Sequence, residues 1–194
     1  MFCREKPGIV FSDKALRSAH SIPVLGGLEM FREMRRKRQE LTSDECEEIL
    51  RRGTSGVLAV SGDEDYPYAV PMSYVYENGK IFFHCAKKGH KLDAVKRNEK
   101  ASFCVIDRDE IVSEEYTTYF RSVIVFGRIR VMEEGAEKRA AIDKLAEKYA
   151  PGMSEESRNQ AIEREYKPVC MLEFSVEHMS GKEAIELAKK KFVT

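Results

Sequence analysis

One stretch limits what this chain can fold into more than any other: YPYAVPMSYVYENGKIFFHCAKKGHK, residues 66–91. From Tyr68 to Tyr76 the residues alternate, with Val70, Met72, Tyr74 and Tyr76 on one side and Ala69, Pro71, Ser73 and Val75 on the other. A period of two predicts a strand. Pro71 falls inside it, and proline has no N–H to give a ladder, so this strand is expected at a sheet edge or a bulge. Backbone groups nearby are then left to meet something other than a strand. Asn78-Gly79 predicts a tight hairpin, because both residues tolerate positive φ. The second arm, residues 80–85, is again β-branched and aromatic. It runs through Ala86-Lys87-Lys88-Gly89-His90-Lys91 into a short predicted helix with Leu92 and Val95 on one face. A glycine loop opening a helix, with basic residues in the first turn, suits an anion: free N–H groups and the helix dipole point at it.

The rest of the chain reads around that unit. Residues 1–29 carry several breakers (Pro7, Gly8, Pro23, Gly26, Gly27) and are expected to form a loosely ordered arm, with the domain proper over 30–194. The basic run Arg32 to Arg38 could contact nucleic acid or be a plain solvated arm, and the solvated arm is the expectation. Thr42 and Glu45 form a predicted capping box for a helix whose apolar face is Cys46, Ile49 and Leu50, with Gly53 at its C′ position. Residues 56–61 and 101–107 read as strands, and the acidic stretch Asp107 to Glu115 as a loop. Residues 116–132 form a long β run, in which Gly127 marks a bulge or sharp bend. Two helices follow, from Glu137 to Tyr149 and from Ser154 to Tyr166. A last strand covers 169–176, and a terminal helix 183–191. Strands in runs rather than in alternation with helices predict a mainly β, α+β fold: an antiparallel barrel of about six strands decorated by helices.

Composition removes several function classes. Lysine plus arginine equals aspartate plus glutamate at 33 each in 194 residues, so net charge gives no argument for nucleic acid or an anionic membrane. No apolar run approaches the roughly 20 residues needed to span a bilayer. The first apolar patch, Ile9 to Phe11, is too short for a secretory signal. Five cysteines without paired spacing argue against a disulfide framework and for a reducing, cytoplasmic setting.

The pattern PYAVPMSYVY, NGKIFFHCAKKGHKLD, SFCVID, SVIVFGRIRV, KYAP and EHMSGKEA resembles the FMN-binding split barrels of the pyridoxamine 5′-phosphate oxidase-like group. Within it, the chain is most similar to the Nim-type nitroimidazole-resistance proteins. The resemblance runs from about Met34 to Lys189. It implies an FMN cofactor, with FAD as the alternative, bound between the subunits of a homodimer. It implies that Val70, Pro71 and Met72 lie beside the isoalloxazine, chiefly through backbone. His84 and Cys85 would touch the flavin or its ribityl chain, and His90 and Lys91 would stand where the oxidases grip the phosphate. Ser122 matches a polar position used across the dimer interface. Ala69 replaces the oxidases' ring-binding arginine, His90 replaces their phosphate arginine, and the basic residues that hold pyridoxal phosphate have no counterpart. Reduction of a small electrophile such as a nitroaromatic is therefore expected rather than pyridoxamine phosphate oxidation; a flavin- or haem-binding carrier without turnover is the alternative. No acid–base pair stands out, so no catalytic residue is assigned.

Other readings of the same residues stay open on sequence alone. His84 alternates with Phe82 and could be a core histidine. Cys85 could be a nucleophile, though no activating partner is visible. His84, Cys85 and His90 lack the tight paired spacing of a structural zinc site, and no metal is expected. His178 and Lys182 fit either a loop near the site or a cap for the last helix.

Overall fold

The computed structural model describes residues 31–191, which from Glu33 onward belong to one compact unit. The arm expected over residues 1–29 lies outside the described residues. Part of the basic run is neutralised locally: Lys37 pairs with Glu33 at 3.2 Å and Glu40 at 3.6 Å.

The first helix, α1 (Ser43–Arg52), starts as the capping box requires. The Thr42 hydroxyl accepts from the Glu45 N–H, and the Glu45 carboxylate accepts from the Thr42 N–H at 2.8 Å. Cys46, Ile49 and Leu50 are buried. Gly53 departs from the expected left-handed stop, since its φ is −62°. Glycine is needed there for space, because a Cβ would strike the Tyr74 hydroxyl.

Seven strands follow in one antiparallel sheet: β1 (Ser55–Ser61), β2 (Pro67–Ser73), β3 (Val75–Glu77), β4 (Lys80–Ala86), β5 (Lys100–Val112), β6 (Thr117–Val131) and β7 (Val169–Glu183). Their spatial order is β2-β1-β5-β6-β7-β4-β3. The strand expected over 68–76 is therefore two strands. They break at Tyr74 and lie on opposite edges of the sheet; only β3 and β4 form the Asn78-Gly79 hairpin. Two edges joined by a single residue force the sheet to curl until they meet, without closing the hydrogen-bonded ladder. This is a split barrel. The predicted alternation survives the break: Met72, Tyr74 and Tyr76 are buried inside, while Ala69, Pro71 and Ser73 face out. Pro71 sits on an edge strand, as its missing N–H demands.

The interior is filled by side chains from every wall. Phe103 is fully buried at its centre, edge-on to Tyr74 at 4.9 Å and to Phe83 at 5.0 Å. Two other expectations change. The acidic stretch after Asp107 extends β5 to Val112 before a short turn of 3₁₀ helix, because it pairs along its length with residues 117–121 of β6. The tail holding His178 and Lys182 is neither loop nor cap. It continues β7 against β6 to Glu183, ahead of α5 (Ile185–Lys191). The irregularity at Gly127 is confirmed, but the extra residue is Glu177 on the partner strand; a Cβ on Gly127 would meet the Ser175 carbonyl.

Helix α2 (His90–Arg97) packs Leu92, Ala94 and Val95 onto the barrel. Helices α3 (Ala136–Tyr149) and α4 (Glu155–Tyr166) leave the sheet between β6 and β7 and return against its outer face. There Ala141 and Leu145 pack with Phe82, Met132 and Met171 as a second core. The last residue of α3 secures the break in the barrel. The Tyr149 hydroxyl accepts from the Tyr74 N–H at 2.9 Å and shares its proton between the Tyr74 carbonyl, at 3.0 Å, and the Thr54 carbonyl.

Tyr149→Phe leaves the Tyr74 backbone groups unpaired. It is expected to lower stability by about 1–3 kcal/mol, read as a reduced midpoint in urea unfolding; an unchanged midpoint refutes the clamp.

Glu173 gives a second test. It is buried on β7 between Lys80 at 3.0 Å and Arg130 at 3.0 Å. Burial alone would raise its pKa, but hydrogen bonds from Arg130 and Lys80 win and hold it below the ordinary 4.5. A depressed pKa stabilises the fold above the ordinary value and loses that contribution as pH falls through the folded value. Glu173→Gln should therefore flatten the acid limb of a stability-versus-pH curve below about pH 4.5. An identical limb in both proteins would refute the assignment.

Candidate functional site

The start of α2 is built for close approach. Gly89, its N-cap, has φ 136° with no side-chain cap, a conformation that L side chains resist. Leu92, Ala94 and Val95 bury the helix on the barrel and so fix its first turn over edge strand β2. His90 stacks on Tyr68 of β2, ring centroids 4.1 Å apart. Its Nε2 lies 3.6 Å from Asp63, whose stronger partner is Arg97 at 2.7 Å. That hydrogen bond from Arg97 holds the Asp63 carboxyl below its usual range.

Lys91 reaches inward. Its Nζ lies 3.2 Å from the Met72 sulfur, a weak acceptor, and among the described residues no carboxylate pairs with it. Cys85, at the end of β4, stands opposite Cys170 of β7. Its thiol is pushed up to about 12, chiefly by burial and secondarily by Cys170, against a partial pull-down from the Lys91 ammonium. Lys91 thus brings the ends of β2 and β4 into one field. A thiol held protonated in this way is a poor nucleophile, which weighs against that reading of Cys85.

The residues singled out in the sequence fall into three groups. Met72, Cys85, His90 and Lys91 gather around the start of α2, near the ends of β2 and β4, with Val70 on the same face of β2 as Met72. His84 does not join them. Strand alternation turns it to the outer face, where with Ser73 it lines a cavity of about 510 Å³ under α3 and α4. It is therefore not a core histidine, and its side chain lies on the opposite side of β4 from that of Cys85. Pro71 and Ser122 lie on the outer face of the sheet: Pro71 opposite Val57, and Ser122 between Ile106 and Lys182. That face also exposes Val57, Ile106, Ile124 and Phe126, by 38 to 65%.

Sequence reasoning missed the outer cavity. Its other walls are Ile142, Leu145, Ala146, Tyr149, Glu165, Val169 and Met171. Tyr149 carried the one usable signal, a phenol closing an apolar helical row just before Pro151-Gly152. Nothing in the row says that it would reach the chain break.

A family model described as pyridoxamine 5′-phosphate oxidase matches residues 42–183. No curated protein sequence matches the chain. Among solved structures, a candidate 5-nitroimidazole antibiotic resistance protein from Bacteroides thetaiotaomicron VPI-5482 is similar at 22% identity and TM-score 0.62, over 74% of this chain and 86% of that one. A FAD-binding protein from Mesorhizobium loti is similar at 22% identity and TM-score 0.55, over 75% and 95%. A FAD and haem binding protein from Mycobacterium smegmatis is similar at 19% identity and TM-score 0.62, over 76% and 73%. At these identities the likeness establishes the split-barrel fold. No helix among the described residues is long and apolar enough to cross a membrane.

The Cys85 environment predicts its chemistry. At pH 8 a thiol pushed up in this way is far less ionised than an unperturbed cysteine. Alkylation of Cys85 by iodoacetamide, followed by mass spectrometry, should be far slower than that of glutathione and should accelerate with pH beyond 10. Reaction at the glutathione rate at pH 8 would refute the buried, protonated thiol.

Proposed function

The chain belongs to the pyridoxamine 5′-phosphate oxidase family, and from that premise we propose that it is an FMN-dependent oxidoreductase, working as a homodimer on a small electrophile such as a nitroimidazole. The observation that carries the reading is the sheltered Lys91 ammonium. It stands beside an uncapped helix start with a thioether as its nearest partner. A phosphate monoester supplies the missing anion. Lys91 gives it fixed charge, His90 a hydrogen bond from a ring steadied by Tyr68, and the first turn of α2 its free N–H groups. FAD could present a phosphate to the same turn, but the monoester of FMN meets a cation and a helix start with its full charge.

The flavin supplies the electron transfer when bound; the protein orients it and shields it. Val70, Pro71 and Met72 offer the free edge of β2 to the ring, and Cys85 closes the inner side. His84 faces the outer cavity, where a substrate of modest size can reach the end of β4. Among the described residues, the lining of that cavity includes no lysine or arginine to hold a substrate phosphate.

The apolar outer face supports the dimer. Val57, Cys104 and Ile124 are directly opposed across β1, β5 and β6, and Phe126 lies one pleat further along. A ring-shaped ligand cannot enter a barrel interior already filled by Phe103 and its neighbours, so a groove between two such faces is the natural place for it. Similarity to the FAD and haem binding protein favours a second reading, a carrier without turnover. Anaerobic stopped-flow reduction by NAD(P)H, followed by reoxidation with a nitro compound, separates the two.

Fluorescence titration with FMN should show affinity reduced about ten- to hundredfold by Lys91→Ala, and further by adding His90→Ala. Full retention in the double variant overturns the phosphate assignment. Ile124→Glu with Phe126→Glu should convert the protein to a monomer by light scattering, with loss of flavin. A monomeric wild type that keeps its flavin overturns the dimer.

A further inference from the structure

We propose that Cys85 and Cys170 are a redox pair that closes to an intramolecular disulfide when the protein meets a low-molecular-weight disulfide, fastening the end of β4 to the start of β7. This goes beyond the flavin reading and does not depend on it. The two residues are direct partners in the antiparallel ladder, one rung from its end at Ala86 and Val169. Directly opposed residues have Cα atoms about 4.5–5.5 Å apart, inside the roughly 4.4–6.8 Å window that a disulfide spans. The side chains leave the ladder on one face: Cys170 is buried in the main core and Cys85 packs half-buried against it. Their neighbours His84 and Met171 point the other way, into the outer cavity. Both cysteines are thiols in the structure, and they sense each other: after burial, Cys170 is the largest cause of the raised Cys85 pKa.

Among the described residues, no other cysteine has a cysteine across from it. Cys46 packs against Gly181, and Cys104 faces Val57 and Ile124 in its two ladders. Burial slows closure without opposing it. The attacking species is a thiolate, which the apolar core disfavours, whereas the finished link carries no charge to desolvate. The link also closes a long loop, from 85 to 170, which constrains the unfolded chain and favours the linked native state. Cys85 is the entry point, because it is the more exposed of the two and Lys91 lends it positive field.

With glutathione disulfide as oxidant, two exchanges balance the electrons. Cys85 gives its proton to solvent and its sulfur attacks one sulfur of the reagent. The reagent's S–S bond breaks, and one glutathione leaves as a thiolate that takes up a proton. Cys170 then loses its proton and attacks the Cys85 sulfur of the mixed disulfide, and the second glutathione leaves. Two protein thiols are oxidised, and one reagent disulfide is reduced to two thiols. Excess thiol reverses the sequence, as a redox-sensing link in a reducing compartment requires.

Full-length protein equilibrated with glutathione disulfide at about pH 8.5 tests this. The sample is quenched in acid, alkylated with N-ethylmaleimide in denaturant, digested without reduction and read by mass spectrometry. The product should be the peptide pair joined through Cys85 and Cys170, lost on adding excess dithiothreitol. Cys170→Ser should stop at a mixed disulfide of Cys85 with glutathione, and Cys85→Ser should leave Cys170 a thiol. In urea the same treatment should scramble the pairing, which separates a link made by the fold from one made by the loose chain. The wild-type link is read directly, so the test stands if a serine variant fails to fold. Both cysteines alkylated at equilibrium, a wild type that stops at the mixed disulfide, or the same mixture of links in buffer and in urea overturns the proposal.

Discussion

A single residue, Tyr74, joins the two edges of the seven-stranded sheet, and most of the architecture follows from that link. Strands consecutive in sequence normally pair. Here β2 and β3 are consecutive and cannot, because the chain turns between them and sends each to a different neighbour. The sheet has to wrap until its edges stand side by side, yet the ladder stays open between β2 and β4. Tyr74 itself is fully buried, and both of its backbone polar groups are met by Tyr149. Left unpaired at the mouth of the barrel, those groups would favour water over the closed form. The helical excursion between β6 and β7 is thus part of barrel closure, and it carries the outer cavity with it.

The opening that results explains why the candidate site lies where it does. An edge strand has backbone groups to spare on one side, and a helix start has N–H groups to spare at its tip. Burial of Leu92 and Val95 sets the second over the first. Strand alternation then divides β4 between two environments. Cys85 faces the barrel and the Lys91 charge, while His84, its neighbour in sequence, faces the cavity under α3. A ligand and a reactant could therefore meet the same strand end from opposite sides without competing for one side chain.

Local signals made much of this legible in the sequence. The capping box at Thr42, the Asn78-Gly79 turn, the edge position of Pro71 and the helix opening at His90 each depend on residues a few positions apart, and each is found as read. The misreadings share a different cause. The acidic run after Asp107 looks like a loop by composition, yet β6 is long enough to pair with it, and no property of residues 107–112 announces partners in residues 117–121. The tail at His178 joins the sheet for the same reason. The alternation from Tyr68 to Tyr76 was sound as a statement about faces and silent about which strand each half would pair with. Tyr149 and the outer cavity were invisible because they depend on contacts some 75 residues apart in the chain.

The pattern of charge pairing argues that the position of Lys91 is meaningful. Where a basic side chain is sheltered, the fold usually gives it an anion. Arg121 meets the buried Glu183 at 2.9 Å, Lys191 meets the same carboxylate from the other side, and Arg130 meets Glu173. Unpartnered lysines on open surface need no explanation, since water serves them well. Lys91 is different. Its ammonium is partly withdrawn from solvent against a thioether, and among the described residues no carboxylate answers it. A chain with as many acidic as basic residues had anions available for that position. That it places none there is the reason to look for the acceptor outside the polypeptide, at the helix start.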